Sequence, residues 1–448
     1  MNFKTSIVVL VIALLPYLQS CRDNFNFEEL NTDLRFSADT ISVDTVYNYS
    51  KSETYILKIY NPDNKDFIIP EILLNKAKNS YYKINVDGQA GFKFTNVPIR
   101  KNDSLFIFIE IDAKTAPNNP FYEDEIIIKT KYNQQKVKLI SWIEKAKIHQ
   151  KNTKISSENW NSNEAQVIDG DLTITNNLTI EAGTKIYFRK DASLTINENA
   201  TLNVNGKLDD VVKFRSARHE NKYDSIPNQW NHIELKPNSK SNINYAKIIG
   251  ANIGLYANNA ELTISNSFIV NNQSYGILAN NAIIKAYNLI VNNANLAALA
   301  IENGGNYEFY QSTFANYFNM IGTAGDAYAL ILDNSKNLLK NAFFGNCIFY
   351  NQRTPNSIAI RGNTNYFFDT NLFKNDNSTL INVITNTNFN HSVVGNPLFT
   401  NPIYTANQLR LKENSPALNI GNVNIANQYP LDYYGINRTI NPSLGAIQ

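Results

Sequence analysis

Histidine, cysteine and methionine are almost missing from this chain of 448 residues, which holds four, two and two of them. The histidines are His149, His219, His232 and His391, and no two stand at metal-ligand spacing, so no metal centre is expected. Phosphate loops, nucleophile elbows and dinucleotide fingerprints are absent too, and no cofactor is expected. Excess charge is also lacking. A formal net charge of +2 leaves no footprint for nucleic acid. After the N-terminus no apolar run is long enough to cross a bilayer. Glycine is sparse at 18 residues, whereas tyrosine (25), phenylalanine (24) and asparagine are heavily used. Aromatic and β-branched residues favour strands, and asparagines favour turns. The length allows two or three domains and a sizeable core.

Residues 1–20 read as an export signal outside the fold. Lys4 supplies a positive start, and residues 7–15 (IVVLVIALL) form an apolar stretch short for a membrane span. They run into LQSC, residues 18–21, which resembles the bacterial lipobox. An apolar residue lies three before the cysteine and a small one directly before it. The resemblance implies that Cys21 becomes the first mature residue, carries acyl chains such as palmitate, and anchors the protein to a lipid bilayer. Several chains on one residue hold stably where a single chain is marginal. The expected location is the cell envelope, in the outer membrane. With Cys21 acylated, Cys347 is the one remaining thiol and no intrachain disulfide can form. Cys347 lies in a strand pattern, NCIFYN, and reads as a small buried hydrophobe.

Residues 21–33 are polar and without period, a tether. Residues 34–148 alternate in short strands, among them TYILKIYN, SLFIFIEID and QKVKLISW, separated by turn signals such as NPDNKD and APNNP. About seven strands at this spacing predict an antiparallel β-sandwich. The Cys–Trp–Cys signature of immunoglobulin domains is absent. The Tyr60-Asn61-Pro62 turn resembles that of immunoglobulin-like modules in bacterial lipoproteins, which implies an immunoglobulin-like domain.

The region 150–395 is different. Strand pieces become very short, and asparagine punctuates them. NSFIVN, YNLIVN, QSTFAN, NCIFYN and TNLFKN end at Asn271, Asn292, Asn316, Asn351 and Asn375, with an upstream copy ending at Gly250. Two residues before each end stands an apolar side chain: Ile248, Ile269, Ile290, Phe314, Phe349 and Phe373. A strand-rich period of this kind predicts a solenoid whose coils are stabilised by their neighbours. The terminal asparagines are expected to stack into a ladder, each side-chain amide bonding the next. Left-handed geometry at that corner suits Asn and Gly. NLTIEAGTKIYF (177–188) and SLTINENATLNV (193–204) read as successive early rungs. Residues 396–448 are expected to cover the last rung, since an open strand edge invites aggregation.

These features resemble the right-handed parallel β-helix superfamily, which includes pectate lyase-like proteins. FRSARHENKYDSIPNQWNHIEL (214–235) resembles a loop of β-helix lipoproteins of Gram-negative bacteria, and NPLFTNP (396–402) and LRLKENSPALNIG (409–421) resemble the ends of such helices. The expected fold is all-β: an immunoglobulin-like sandwich followed by a right-handed parallel β-helix. Such helices host lyases, hydrolases, adhesins and spacers alike.

Catalysis on this fold needs converging carboxylates, several for a calcium-dependent lyase and a pair for a glycosidase. The acids of the repeat region are scattered: Asp224, Glu234, Glu261, Glu302, Glu308, Asp326, Asp333, Asp369 and Asp376. They do not recur at one position of the rung, and adjacent Asp209 and Asp210 suit a solvated turn. No catalytic residue is expected. The densest polar group holds Arg215, Arg218, Glu220, Tyr223, Asp224 and Trp230, a candidate binding site. Trp230 would stack on a sugar face while the polar groups bond hydroxyls. The same residues suit a structural job, with Arg218 and Glu220 tying down a loop and Trp230 packed over the first rungs. The expected function is a binding or display surface for a polysaccharide or surface protein, without catalysis. A β-helix lyase or glycosidase is the alternative, and a structural spacer the third.

Overall fold

The computed structural model describes residues 26–448 except 118, 219, 321–324, 363–364 and 375–385. Cys21, His219 and Asn375 lie outside the described residues. The chain divides into two compact units, Met1–Glu144 and Lys145–Gln448.

The first unit is a β-sandwich. One sheet runs Glu28–Glu29, Phe67–Leu74, Phe121–Lys129, Gln134–Glu144, Thr40–Ser42, with Lys93–Ile99 also on Phe67–Leu74. The other runs Arg35–Phe36, Tyr55–Tyr60, Ser104–Ala113, Tyr82–Val86, Gln89–Gly91. Alternation of period two makes the core: Leu105, Ile107, Ile109 and Ile111 of one sheet are buried with Ile69, Ile72, Ile126 and Leu139 of the other. Asn61 explains its own turn. Its buried amide donates to the carbonyls of Lys65 and Arg100 and its oxygen accepts from Asp63 N, so one side chain ties two loops.

Among its described residues the second unit forms a parallel β-helix of 26 strands. Register sorts them into three walls. The first wall takes Lys185–Phe188, Val212–Ser216, Ala246–Ile249, residues 267–272, residues 289–294, Thr313–Asn316 and Ile348–Asn351 in turn. The second takes Ser193–Ile196, Trp230–Leu235, Ala251–Asn258, Tyr275–Asn280, Ala297–Glu302 and Tyr328–Asp333. The third takes Thr201–Asn205, Lys240–Asn244, residues 261–265, residues 283–287, Gly305–Tyr310 and Leu339–Gly345. Inward side chains stack in columns at the rung rise, ~4.8 Å. Phe314, Phe349 and Phe373 stack at 5.3 and 5.2 Å, and Phe309, Phe344, Phe368 and Phe389 at 5.3, 4.8 and 4.8 Å. Such pairs add roughly 0.5–1.5 kcal/mol each beyond burial.

The register corrects the repeat at one coil. Ile269 stacks on Val291, not Ile290, and the partner of Asn271 is Asn293, 22 residues on, rather than Asn292. Residues 290 and 291 are both apolar and both fully buried, because the outer face of this wall is covered as well. The usual inside–outside alternation is therefore hidden. The early rungs are corrected too. Leu178-Thr179-Ile180 stacks on Leu202-Asn203-Val204, while Leu194-Thr195-Ile196 stacks on Leu172-Thr173-Ile174. The two sequence segments therefore begin on different walls.

The expected asparagine ladder is replaced by shorter ones at the corners. Gly250, Asn271 and Asn293 have positive φ (78, 61 and 59°), as a left-handed corner requires. Asn293 Nδ2 donates to Asn271 Oδ1 at 3.2 Å. Asn316 and Asn351 do not continue the chain of amides. Asn316 Nδ2 donates to the carbonyls of Ala294 and Tyr328, and Asn351 Nδ2 to those of Ala327 and Asn356, so both bond backbone rather than another asparagine amide. A second left-handed column stands where the third wall turns into the first: Tyr245, Asn266, Asn288, Gln311, Asn346, Thr370 and His391, with φ between 45 and 58°. There Asn266 and Asn288 do bond in series, each donating to the asparagine oxygen before it at 2.9 Å.

The segment after residue 395 runs along the outside of the first wall. Phe399, Leu409, Ala417, Tyr433, Leu444 and Ile447 form an apolar cluster with outward-facing Phe268, Val270, Ile290, Ala315, Ile348 and Leu372. Corner amides fasten it: Asn346 Nδ2 donates to Asn422 O, Gln311 Nε2 to Tyr429 O, and Asn288 Nδ2 to Leu431 O. Buried Arg438 donates to Gly445 O, Ala446 O and Asn288 Oδ1. The cover expected over the last rung is thus a cover along a wall, because outward apolar residues recur on that wall.

Candidate functional site

A cleft of about 620 Å³ opens on the first wall, where the C-terminal segment begins to cover it. Its floor is the outward face of Lys247, Ile249, Phe268 and Val270. One side is the short 3-10 turn Asn221–Ser225, and the other is the loop 404–407 with Gln408–Leu411 and Tyr434.

Local chemistry places each side. After Val212–Ser216 the chain leaves the wall and returns at Trp230–Leu235. Trp230 secures the return. It is fully buried, stacks on Phe188 at 4.0 Å, and its Nε1 donates to Ile249 O at 2.8 Å. This corrects the expectation that Trp230 stacks on a sugar: its ring faces the core, because a large aromatic at an inward position packs there. Arg215 points outward and pairs with Asp224, Nε to Oδ1, at 2.8 Å. The Arg218 guanidinium lies over the Tyr223 ring at 4.9 Å, and Glu220 pairs with Lys222. The structure therefore brings Arg215, Arg218, Glu220, Tyr223 and Asp224 into one loop that is largely paired with itself. Of these, Asp224 lines the cleft.

Asn271 joins the two sides, and three more amides hold the loop 404–407 to the wall. Asn271 Nδ2 donates to Asp224 O at 2.7 Å and to Tyr404 O at 2.9 Å. Asn292 and Asn293 both donate to Asn407 Oδ1, at 2.9 and 2.8 Å, and Asn407 Nδ2 donates to Tyr404 O. Two residues of the expected ladder, Asn271 and Asn292, thus hold the cleft together.

Burial pushes the Asp224 carboxyl above its usual range, against the pull of Arg215, Lys213 and Lys247. Lys247 is lowered by burial and then by Lys213, with Asp224 opposing. Sequence reasoning missed Lys247 and the whole C-terminal side. The lysine had a signal, since Lys185, Lys213 and Lys247 occupy one register position on successive rungs.

Elsewhere, Glu302 of the second wall stands directly beside Asp333 on the next rung, and Asp333 beside Arg361. Burial and Asp333 raise the Glu302 carboxyl, while Ser335 and then Arg361 help lower that of Asp333. Two acids of the repeat region do share a rung position, contrary to expectation; the 31-residue coil between them hid it. Cys347 is buried, its thiol pushed up to about 12 by burial. Among the described residues no group of three or more His, Cys, Asp or Glu is placed to hold a metal.

No family model matches this chain, and no curated protein does. Among solved structures it is similar to a family 123 glycoside hydrolase from Clostridium perfringens, studied for glycolipid glycan hydrolysis, with 9% identity and a TM-score of 0.21. The match covers 29% of this chain and 30% of that one, and a likeness so slight carries no argument about fold or function.

Proposed function

We propose that this is an exported lipoprotein, anchored through acylated Cys21 in the outer membrane, whose β-helix binds a glycan in the first-wall cleft without transforming it. An immunoglobulin-like sandwich stands between anchor and helix in sequence. The cleft carries this reading. It is lined by an exposed tyrosine ring, Tyr434, by amides and by cations, the equipment for holding a sugar. Among the described residues Asp224 is the one carboxylate lining it, and Asp224 is paired with Arg215. A glycosidase needs two carboxyl groups across its substrate.

The test is a glycan array probed with the full chain in detergent, with Tyr434→Ala beside it. Loss of one stacking ring should weaken a hit about three- to tenfold. No unsaturated uronate and no new reducing ends should form from bound glycans. Hits unchanged in Tyr434→Ala would move binding off the cleft. Turnover abolished by Glu302→Gln would favour a second reading, hydrolysis on the second wall, where Glu302 and Asp333 offer a neighbouring acid pair with its protonation preferences pushed apart.

A further inference from the structure

Outward side chains on the first wall follow the rungs in register. One column reads Lys185, Lys213, Lys247 and then Phe268, and beside it Arg215 precedes Ile249 and Val270. From Phe268 onward the C-terminal segment covers the wall. Before it, the lysine column is exposed at Lys185 and Lys213 and reaches the cleft at Lys247, while beside it Tyr187 and Arg215 are largely buried. Like charges directly opposite each other on neighbouring strands, here one rung or ~4.8 Å apart, destabilise a sheet. Lys213 and Lys247 have no ion pair or side-chain hydrogen bond among the described residues, and Lys247 has only the Phe268 ring at 5.5 Å. Asp224, on whose carboxyl both lysines act, is held by Arg215. Among the described residues Lys213, Arg215 and Lys247 thus all act on Asp224. Lys247 is also half-buried, and the acid acting on it, Asp224, is already paired with Arg215.

We infer that the cleft takes an anionic polysaccharide, whose acidic groups lie along the Lys213–Lys247 column while one sugar occupies the cleft beside Tyr434. This rests on the glycan-binding reading and names its substrate class. An extended chain laid along the solenoid axis presents acidic groups at intervals that successive rungs can meet, and each would supply the counter-ion a lysine lacks. The strip faces solvent at Lys185 and Lys213 and narrows into the cleft at Lys247, so the chain enters from the N-terminal coils.

The experiment is calorimetric titration of the full chain in detergent with oligogalacturonate, its methyl ester, a sulfated oligosaccharide and single-stranded DNA of similar length. Oligogalacturonate or the sulfated chain should bind, the neutral ester should not, and affinity should fall as salt is raised. Lys213→Ala and Lys247→Ala should each weaken binding roughly tenfold, the scale of one charge-assisted contact. Lys247→Arg should retain most of it. Because these side chains lie on the outer face and repel each other, the melting temperatures of both alanine variants should not fall below that of the parent. Equal binding of acid and ester, no binding by either acidic chain, or unchanged affinity in the folded alanine variants would overturn the inference. DNA binding as tight as the glycan would also overturn it, in favour of a general polyanion surface. A neutral glycan that binds and is weakened by Tyr434→Ala would leave the glycan reading standing while the acidic preference falls.

Discussion

Asn292 and Asn293 are adjacent, both fully buried, and do different work. Asn293 turns the corner at φ 59° and donates to two amide oxygens, Asn271 Oδ1 and Asn407 Oδ1. Asn292 faces the covering segment and donates to Pro402 O and Asn407 Oδ1. An aspartate at 293 could tolerate the left-handed backbone but could not donate, and would set a carboxylate against two oxygens. Asn293→Asp should cost about 1–3 kcal/mol, the scale of a buried polar group left unsatisfied. Asn163→Asp, at an exposed turn, should change stability by less than about 0.5 kcal/mol. Thermal melts of the two variants check this, and equal midpoints would contradict the corner assignment. The sequence motif found the right residue type at this corner and missed its position by one. The shift is physical: with the wall buried on both faces, Ile290 and Val291 carry the same apolar signal.

At the scale of elements, strand content and coil were legible, because each coil must repeat what its neighbour needs. Phe314, Phe349 and Phe373 recur because each ring buries the next, continuing the inward column of Ile269 and Val291. The sandwich was legible from period two, as in Ser104–Ala113. Two things were not. Segments of similar sequence, such as 178–180 and 194–196, sit on different walls, since every wall asks for the same apolar, polar, apolar triplet. The path of residues 396–448 was hidden because a segment held by wall amides such as Asn293, Gln311 and Asn346 has no period of its own. That segment completes the cleft, so half of the candidate site could not be seen from the loop 215–230. What the loop did show was its density of charge, and most of that proved to be internal pairing, Arg215 with Asp224 and Glu220 with Lys222.

For the whole molecule, we propose an anchor at Cys21 and a binding surface on the helix. Cys21→Ala should move the chain from the membrane fraction to the soluble fraction with its melting temperature unchanged. A variant that still sediments with membranes after a high-salt wash would remove the anchor. The binding surface is tested most directly by hydrogen exchange on the full chain with and without oligogalacturonate. The expectation is slower exchange in residues 221–225 and 404–410, the two sides of the cleft, and no change in the sandwich or along the third wall, where a smaller groove passes Lys240, Glu261 and Lys285. Slowing on the third wall or in the sandwich, with none at 221–225 and 404–410, would contradict it.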